Sequence, residues 1–263
     1  MKPAPFDYTR ARTIDEAVAF LSEGNTRLLA GGQSLGPMLN LRLARPARLV
    51  DIKRTEGLRD VAADDTTLSI GAAMTHAEIE DGAIPDPTNG LLRHVAQGLA
   101  YRAVRNRGTL GGSLAHADPA ADWVSTMAGL GASVVACGPK QHARRIPADR
   151  FLRGAFTTTL AADEILVAIE IPRLSPHARW GYVKLCRKLG EFAQAIGIAI
   201  LDPTRNIVRV LAGAVEGAPV LLPRVAEALQ NKGPHAAIKA LADETLSHLH
   251  AVAVKRAILQ LTE

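Results

Sequence analysis

Apolar positions along the chain follow two periods, and the switches between them predict the elements. Ile14, Ala17, Val18 and Leu21 fall at helical spacing behind Thr13-Ile14-Asp15-Glu16, which reads as a capping box, and Gly24 ends the run. With its flanking apolar runs the N-terminus reads β-α-β: residues 26–30 form a strand that delivers a glycine pair, and 49–52 a second buried strand. Between them Ser34 and Pro37 start a helical turn whose apolar side, Leu35, Met38, Leu39 and Leu43, reads as core. The composition turns polar around 53–57, which places a boundary there.

A strand at 67–70 and a capping box at Thr75-His76-Ala77-Glu78 open the next region. Leu91, Leu92, Val95, Ala96 and Leu99 mark a helix that ends before an arginine-rich stretch. A helix is predicted over 120–130, with Trp123 and Met127 on one face, and strands over 133–137, 144–146 and 164–171, where Pro172 closes the last. Asp118 reads as an N-cap and Pro119 as the first helical residue after it. From about Leu174, strands at 180–187, 193–201 and 207–214 are followed by a helical pattern from Pro223 to the end, broken at Gly233-Pro234 and near Asp243. No internal repeat or low-complexity tract interrupts this plan.

Composition bounds the function classes. With 263 residues, 48% hydrophobic and 22% charged, the chain suits a globular fold of two or three domains. No apolar run reaches the roughly 20 residues of a membrane span, and no apolar signal region follows Met1, so a cytoplasmic protein is expected. The net charge of +5 is spread out, so nucleic-acid binding is not called for. Arg102, Arg105 and Arg107 form the densest basic group, read either as a solvated face or as phosphate ligands. Two cysteines, Cys137 and Cys186, lie in apolar strands as expected buried thiols. They are too few for an iron–sulfur cluster, so any electron carrier here is organic or sits in another subunit.

The candidate chemistry lies in two glycine motifs. Arg105-Asn106-Arg107-Gly108-Thr109-Leu110-Gly111-Gly112-Ser113 leads into His116-Ala117-Asp118-Pro119-Ala120-Ala121-Asp122. Adjacent glycines let backbone N–H groups crowd around an anion, and hydroxyls add donors. Leu28-Leu29-Ala30-Gly31-Gly32-Gln33-Ser34-Leu35-Gly36 has the same grammar. It is no Walker loop, because Pro37 stands where the lysine belongs, and no Rossmann fingerprint. Eighty positions separate Gly31 from Gly111, which suggests one extended ligand gripped from two sides. Ser113, His116 and Asp118 lack the elbow and spacing of a hydrolytic triad, and His116 and Asp118 lack a second histidine for a metal site.

These motifs resemble the FAD-binding medium subunit of molybdenum hydroxylases, the group of carbon monoxide dehydrogenase and xanthine dehydrogenase-like enzymes, over essentially the whole chain. The resemblance implies an α+β fold of three parts: a small α/β N-terminal domain (1–55) and an α+β middle domain (56–173), both of the PCMH-type FAD-binding kind, and a C-terminal antiparallel sheet with a helical bundle (174–263). It implies FAD between the first two parts, with Leu28, Leu29, Ala30, Gly31, Gly32, Gln33, Ser34 and Leu35 on the diphosphate side and Thr109, Gly111, Gly112 and Ser113 opposite. Asp118 and Asp122 fall in the same set, Asp122 matching a carboxylate that hydrogen-bonds FAD, although a first-turn acid is also what the helix dipole favours. Leu166 matches an apolar residue lining the cofactor, and Lys184 a lysine near the flavin, or else a surface lysine on an edge strand. Phe192 stands where carbon monoxide dehydrogenases carry Tyr, and Gln33 where some carry His; both departures speak against that substrate. The C-terminal helical part reads as shortened.

The resemblance further implies electron transfer as one subunit of a heterotrimer, assembled as a heterohexamer. A large subunit holds the molybdenum cofactor, a small subunit holds two [2Fe–2S] clusters, and FAD passes electrons to an external acceptor. A self-sufficient FAD-dependent oxidoreductase and a non-catalytic nucleotide-binding assembly module are the rival readings.

Overall fold

The computed structural model describes residues 2–262. Its first layer is a three-stranded, wholly parallel sheet with β1 (Asp7–Arg10), β2 (Thr26–Leu29) and β3 (Arg48–Asp51) in the order β1-β3-β2. Helices α1 (Ile14–Ser22) and α2 (Leu35–Asn40) make the connections. Thr13 caps α1 by accepting from Glu16 N–H, but the Glu16 carboxylate takes Arg12 N–H rather than that of the cap residue, so the expected box is closed one residue early. In α2 only Leu39 is buried. Leu43, read as core, is 72% exposed because the helix ends at Asn40 and the chain bends outward.

The second sheet is antiparallel, in the order β4-β5-β10-β6-β7. Its strands are β4 (Val61–Ala63), β5 (Thr67–Gly71), β6 (Ser133–Cys137), β7 (Ala143–Pro147) and β10 (Ile165–Pro172), with a two-stranded β8 (Leu152–Gly154) and β9 (Thr157–Thr158) beside it. Strands β4, β8 and β9 hold two or three residues each, too short for a periodic signal. Helices α3 (His76–Glu80), α4 (Leu91–Gln97), α5 (Arg102–Arg105), α6 (Leu110–His116) and α7 (Asp122–Leu130) belong to this region. The capping box at Thr75 and Glu78 forms as read.

Asp118 does not cap a helix: its Oδ1 accepts from Ala120 N–H at 2.9 Å in a local turn, and α7 begins four residues later behind Ala121. The glycine pair at 111–112 is likewise not a loop but the first turn of α6.

The third sheet runs antiparallel through β11 (Arg179–Leu185), β12 (Ala195–Asp202), β13 (Ile207–Gly213) and β14 (Val220–Leu221). One face of β12 puts Ile196, Ile198 and Ile200 into a core shared with Trp123, Met127, Leu91 and Ile169 of the middle region. The other face of the sheet packs on α8 (Pro223–Lys232), which meets β13, and on α10 (His248–Leu259), which meets β12, while α9 (Pro234–Leu241) packs on those two helices. The helices break at Gly233-Pro234, and near Asp243, as the pattern predicts. A Cβ on Gly181 or Gly197 would lie 1.9 or 2.3 Å from α10 backbone, so these two glycines set how close that helix lies. A smaller core joins Val18 of α1 and Val50 of β3 to Leu58, Ala73 and Ile165 of the middle region. Cys137 is buried, whereas Cys186, at the end of β11, is only half-buried; both are free thiols. No helix among the described residues is long and apolar enough to cross a membrane.

Candidate cofactor site

Strand β2 ends where Ile52 N–H donates to Leu29 carbonyl at 3.1 Å, and the chain then turns through Gly31 and Gly32, the latter at φ +73°. Gly36 N–H closes the turn onto Gly32 carbonyl at 2.9 Å, and the Gln33 side-chain amide donates to Gly31 carbonyl at 3.2 Å. The intervening N–H groups, of Gly31, Gly32, Gln33, Ser34 and Leu35, meet no acceptor among the described residues. Ser34 is exposed and its hydroxyl does not cap α2. A run of unpaired donors at a glycine bend is a cradle for an anion.

The second motif is built differently. Thr109 is the N-cap of α6 and its hydroxyl accepts from Gly112 N–H at 3.0 Å. Leu110 N–H donates to Met74 carbonyl and Gly111 N–H to Ala72 carbonyl, both at 2.9 Å, and Ser113 N–H returns to Thr109 carbonyl at 3.0 Å. Every donor of that first turn is therefore engaged inside the protein. What it presents is the exposed Gly112 surface and the half-buried Ser113 side chain.

The two motifs touch. A Cβ on Gly31 would sit 2.0 Å from Arg107 carbonyl oxygen, so the first bend lies directly on the backbone that enters α6. A Cβ on Gly112 would lie 3.9 Å from the Ala30 Cβ. Behind the junction, His76 N–H donates to Gly108 carbonyl at 2.9 Å and Trp123 Nε1–H donates to His76 Nδ1 at 3.0 Å. Burial, then the Arg105 charge, holds the His76 imidazole down to about 4, so it stays neutral.

Asp122 opens α7 and is buried. Its Oδ1 accepts from Tyr182 hydroxyl at 2.6 Å and its Oδ2 from Lys184 Nζ at 2.9 Å; Lys184 also reaches Gly98 carbonyl at 3.5 Å. Burial first, then the Asp122 charge, pushes the Tyr182 phenol well above its ordinary value. Lys184 does lie on an edge strand, β11, but its side chain is largely buried as the partner of an acid on a helix of the middle region rather than solvated. Tyr182 was not singled out from sequence, yet the signal was present, since residues two apart on a strand share a face.

Leu166 is buried beside a bulge in β10, in the core that also holds Leu110 and Leu114. Phe192 is 62% exposed in the loop after β11, where Gly190 forms a bridge with Leu99. Lys184 and this loop thus meet the same segment, 98–100. The arginines are largely spoken for: Arg102 pairs with Glu80 and Asp81, and Arg105 with Glu80 and Leu99 carbonyl. Arg107 is exposed with no such partner among the described residues. Concavities of about 320 and 460 Å³ lie elsewhere, around Asp86 and Arg173 and around Val18 and Lys140. No cluster of metal-ligating side chains occurs among the described residues.

Residues 4–174 match the family described as the FAD binding domain in molybdopterin dehydrogenase, and the chain belongs to that family. It is an FAD-binding medium subunit of the molybdenum hydroxylase type, an oxidoreductase subunit. It is 37% identical to the caffeine dehydrogenase subunit beta of Pseudomonas sp. (strain CBB1) over 203 residues, 76% of this chain and 68% of that one. It is 36% identical to the carbon monoxide dehydrogenase medium chain of Hydrogenophaga pseudoflava over 210 residues, 79% and 73% of the two chains. Among solved structures, a chain of carbon monoxide dehydrogenase from Hydrogenophaga pseudoflava superposes with a TM-score of 0.88 at 32% identity, covering 100% of this chain and 99% of that one. Quinoline 2-oxidoreductase from Pseudomonas putida 86 gives 0.86 at 31%, covering 99% and 98%. The region after Pro223, read as shortened, is included in these spans.

Proposed function

We propose that this chain carries FAD as the electron-transfer subunit of a heterotrimeric molybdenum-containing dehydrogenase. Electrons would arrive from [2Fe–2S] clusters of a small subunit, after substrate oxidation at the molybdenum cofactor of a large one, and leave to an external acceptor. The observation that carries the reading is the run of five unpaired N–H groups from Gly31 to Leu35, pressed against the entry to α6. These donors match the charge and the oxygen-rich surface of a diphosphate. Ser34, Ser113 and the exposed Arg107 stand around them with side chains free to add polar contacts. Asp118 would serve cofactor hydroxyls from its turn. Asp122 would act chiefly through its locked position, since both its oxygens already have donors. Leu166 and Phe192 would supply apolar surface. When bound, FAD supplies a ring system that accepts and releases electrons singly or in pairs. The segments 1–55, 56–173 and 174–263 are proposed as the working domains, since each contains the strands of its own sheet or sheets. A cytoplasmic setting goes with the same proposal.

Purified chain should be yellow, release FAD on denaturation and show no substrate turnover alone. Colourless protein that fails to take up FAD would overturn the reading. Flavin reduction by a small substrate without partners would favour a self-sufficient oxidoreductase, and tight ADP binding without FAD an assembly module.

A further inference from the structure

The bend after α2 lies outside the residues proposed to hold FAD, and it is hydrogen-bonded onto that helix and turned outward. Leu41 is 54% and Leu43 72% exposed, with Arg42 between them in the left-handed region at φ +58°. An L residue in that conformation needs support from its surroundings. Four hydrogen bonds onto α2 supply it: Leu41 N–H to Pro37 carbonyl, Arg42 N–H to Leu39 carbonyl, and Leu43 and Ala44 N–H both to Met38 carbonyl. Arg42 Nε reaches Lys2 carbonyl and Arg45 Nε reaches Arg42 carbonyl, which fixes both stems. No acidic residue occurs between positions 24 and 50, whereas Arg27, Arg42, Arg45 and Arg48 do. Of these, only Arg48 is paired with an acid among the described residues, Glu23.

We infer that this leucine–arginine–leucine knuckle docks another subunit of the same complex, into a groove with an apolar floor and an acidic rim. The inference rests on the proposed function. A preorganised knuckle loses little freedom on binding, and an unbalanced positive rim selects a negative one. Because α2 leads from the cradle to the knuckle in six residues, the partner would dock within one short helix of the cofactor.

The test coexpresses the chain with the molybdenum and iron–sulfur subunits and compares wild type with Leu43→Glu, Leu41→Glu and Arg45→Glu. Each leucine variant should keep FAD and the far-UV spectrum of the isolated chain, yet bind the partner at least about tenfold more weakly. Arg45→Glu should weaken binding less and flatten its salt dependence. Wild-type affinity in both leucine variants overturns the inference, as does loss of FAD together with assembly in both. Self-association of the isolated chain lost on Leu43→Glu would assign the knuckle to a second copy instead. Binding to phosphatidylglycerol vesicles lost on Leu43→Glu, with assembly intact, would assign it to a membrane. Failure of the wild-type chain to join either subunit would instead defeat the proposed function itself.

Discussion

The pairs Gly31-Gly32 and Gly111-Gly112 are spelled alike, and the structure gives them opposite jobs. The first leaves a run of backbone donors unpaired at a bend, while the second closes every donor of its turn onto Thr109 and the segment after β5. The difference comes from what stands next to each. Carbonyls of Ala72 and Met74 accept from Gly111 and Leu110, whereas among the described residues no carbonyl accepts from the N–H groups of residues 31–35. Glycine permits both arrangements; the neighbouring strand chooses. On the proposed reading, one motif is the receiver and the other its abutment, backed by His76, Trp123 and the acid at Asp122.

If so, damage to the abutment should cost folding, and damage to the receiver should cost cofactor. The largest effect is expected from Asp122→Ala, which leaves Lys184 buried without its counter-charge and Tyr182 hydroxyl without an acceptor. Breaking a buried pair from one side costs about 3–5 kcal/mol, read as a shift of the urea midpoint without cofactor. Next comes the pH dependence of His76. The unfolded imidazole takes its proton near 6.5 and the folded one only at about 4. The stability it contributes is complete above pH 6.5 and is lost as pH falls toward 4, by up to about 3 kcal/mol. His76→Gln should remove that part of the slope; an unchanged slope would mean the imidazole is not held neutral.

Gly31→Ala sits on the seam, since the new methyl would meet Arg107 carbonyl oxygen, a backbone atom that has no rotamer to offer. Overpacking of about 1–3 kcal/mol should come with loss of FAD binding by two orders of magnitude or more. Gly112→Ala meets the movable Thr109 side chain instead and should retain FAD more tightly than Gly31→Ala does. The smallest pair sharpens the contrast most. Thr109→Ala removes a helix cap and should cost about 1 kcal/mol of stability. Ser34→Ala, exposed and capping nothing, should change stability by less than about 0.5 kcal/mol while weakening FAD binding several-fold. Equal behaviour of these two variants in both assays would erase the distinction.

Much of this was readable from the chain. The apolar runs at β6 and β10, the capping box at Thr75 and the helix breaks after Pro223 depend on near neighbours, and pattern captures near neighbours. The glycine grammar also marked both motifs. Which motif keeps its donors was not readable, because the acceptors at Ala72 and Met74 come from nearly forty residues away. Two glycines in a row also disfavour helix by about 1 kcal/mol each, which disguised α6. Asp118 looked like a cap because its type and the following proline suit one; a local turn to Ala120 answers the same signature. Periodicity places Leu43 in the core by assuming that the helix continues, but α2 stops at Asn40. Tyr182 escaped notice because its partner lies 60 positions away on a different element.

One consequence reaches past the matched segment. The family match ends at residue 174, but the donors that neutralise Asp122 come from β11, and isoleucines of β12 complete the packing around Trp123. Cut at that border, the flavin-binding portion would keep its glycines and yet carry a naked charge at the root of α7 beside an open apolar wound. The closing ninety residues are less an appendage than the keystone that lets the earlier arch stand.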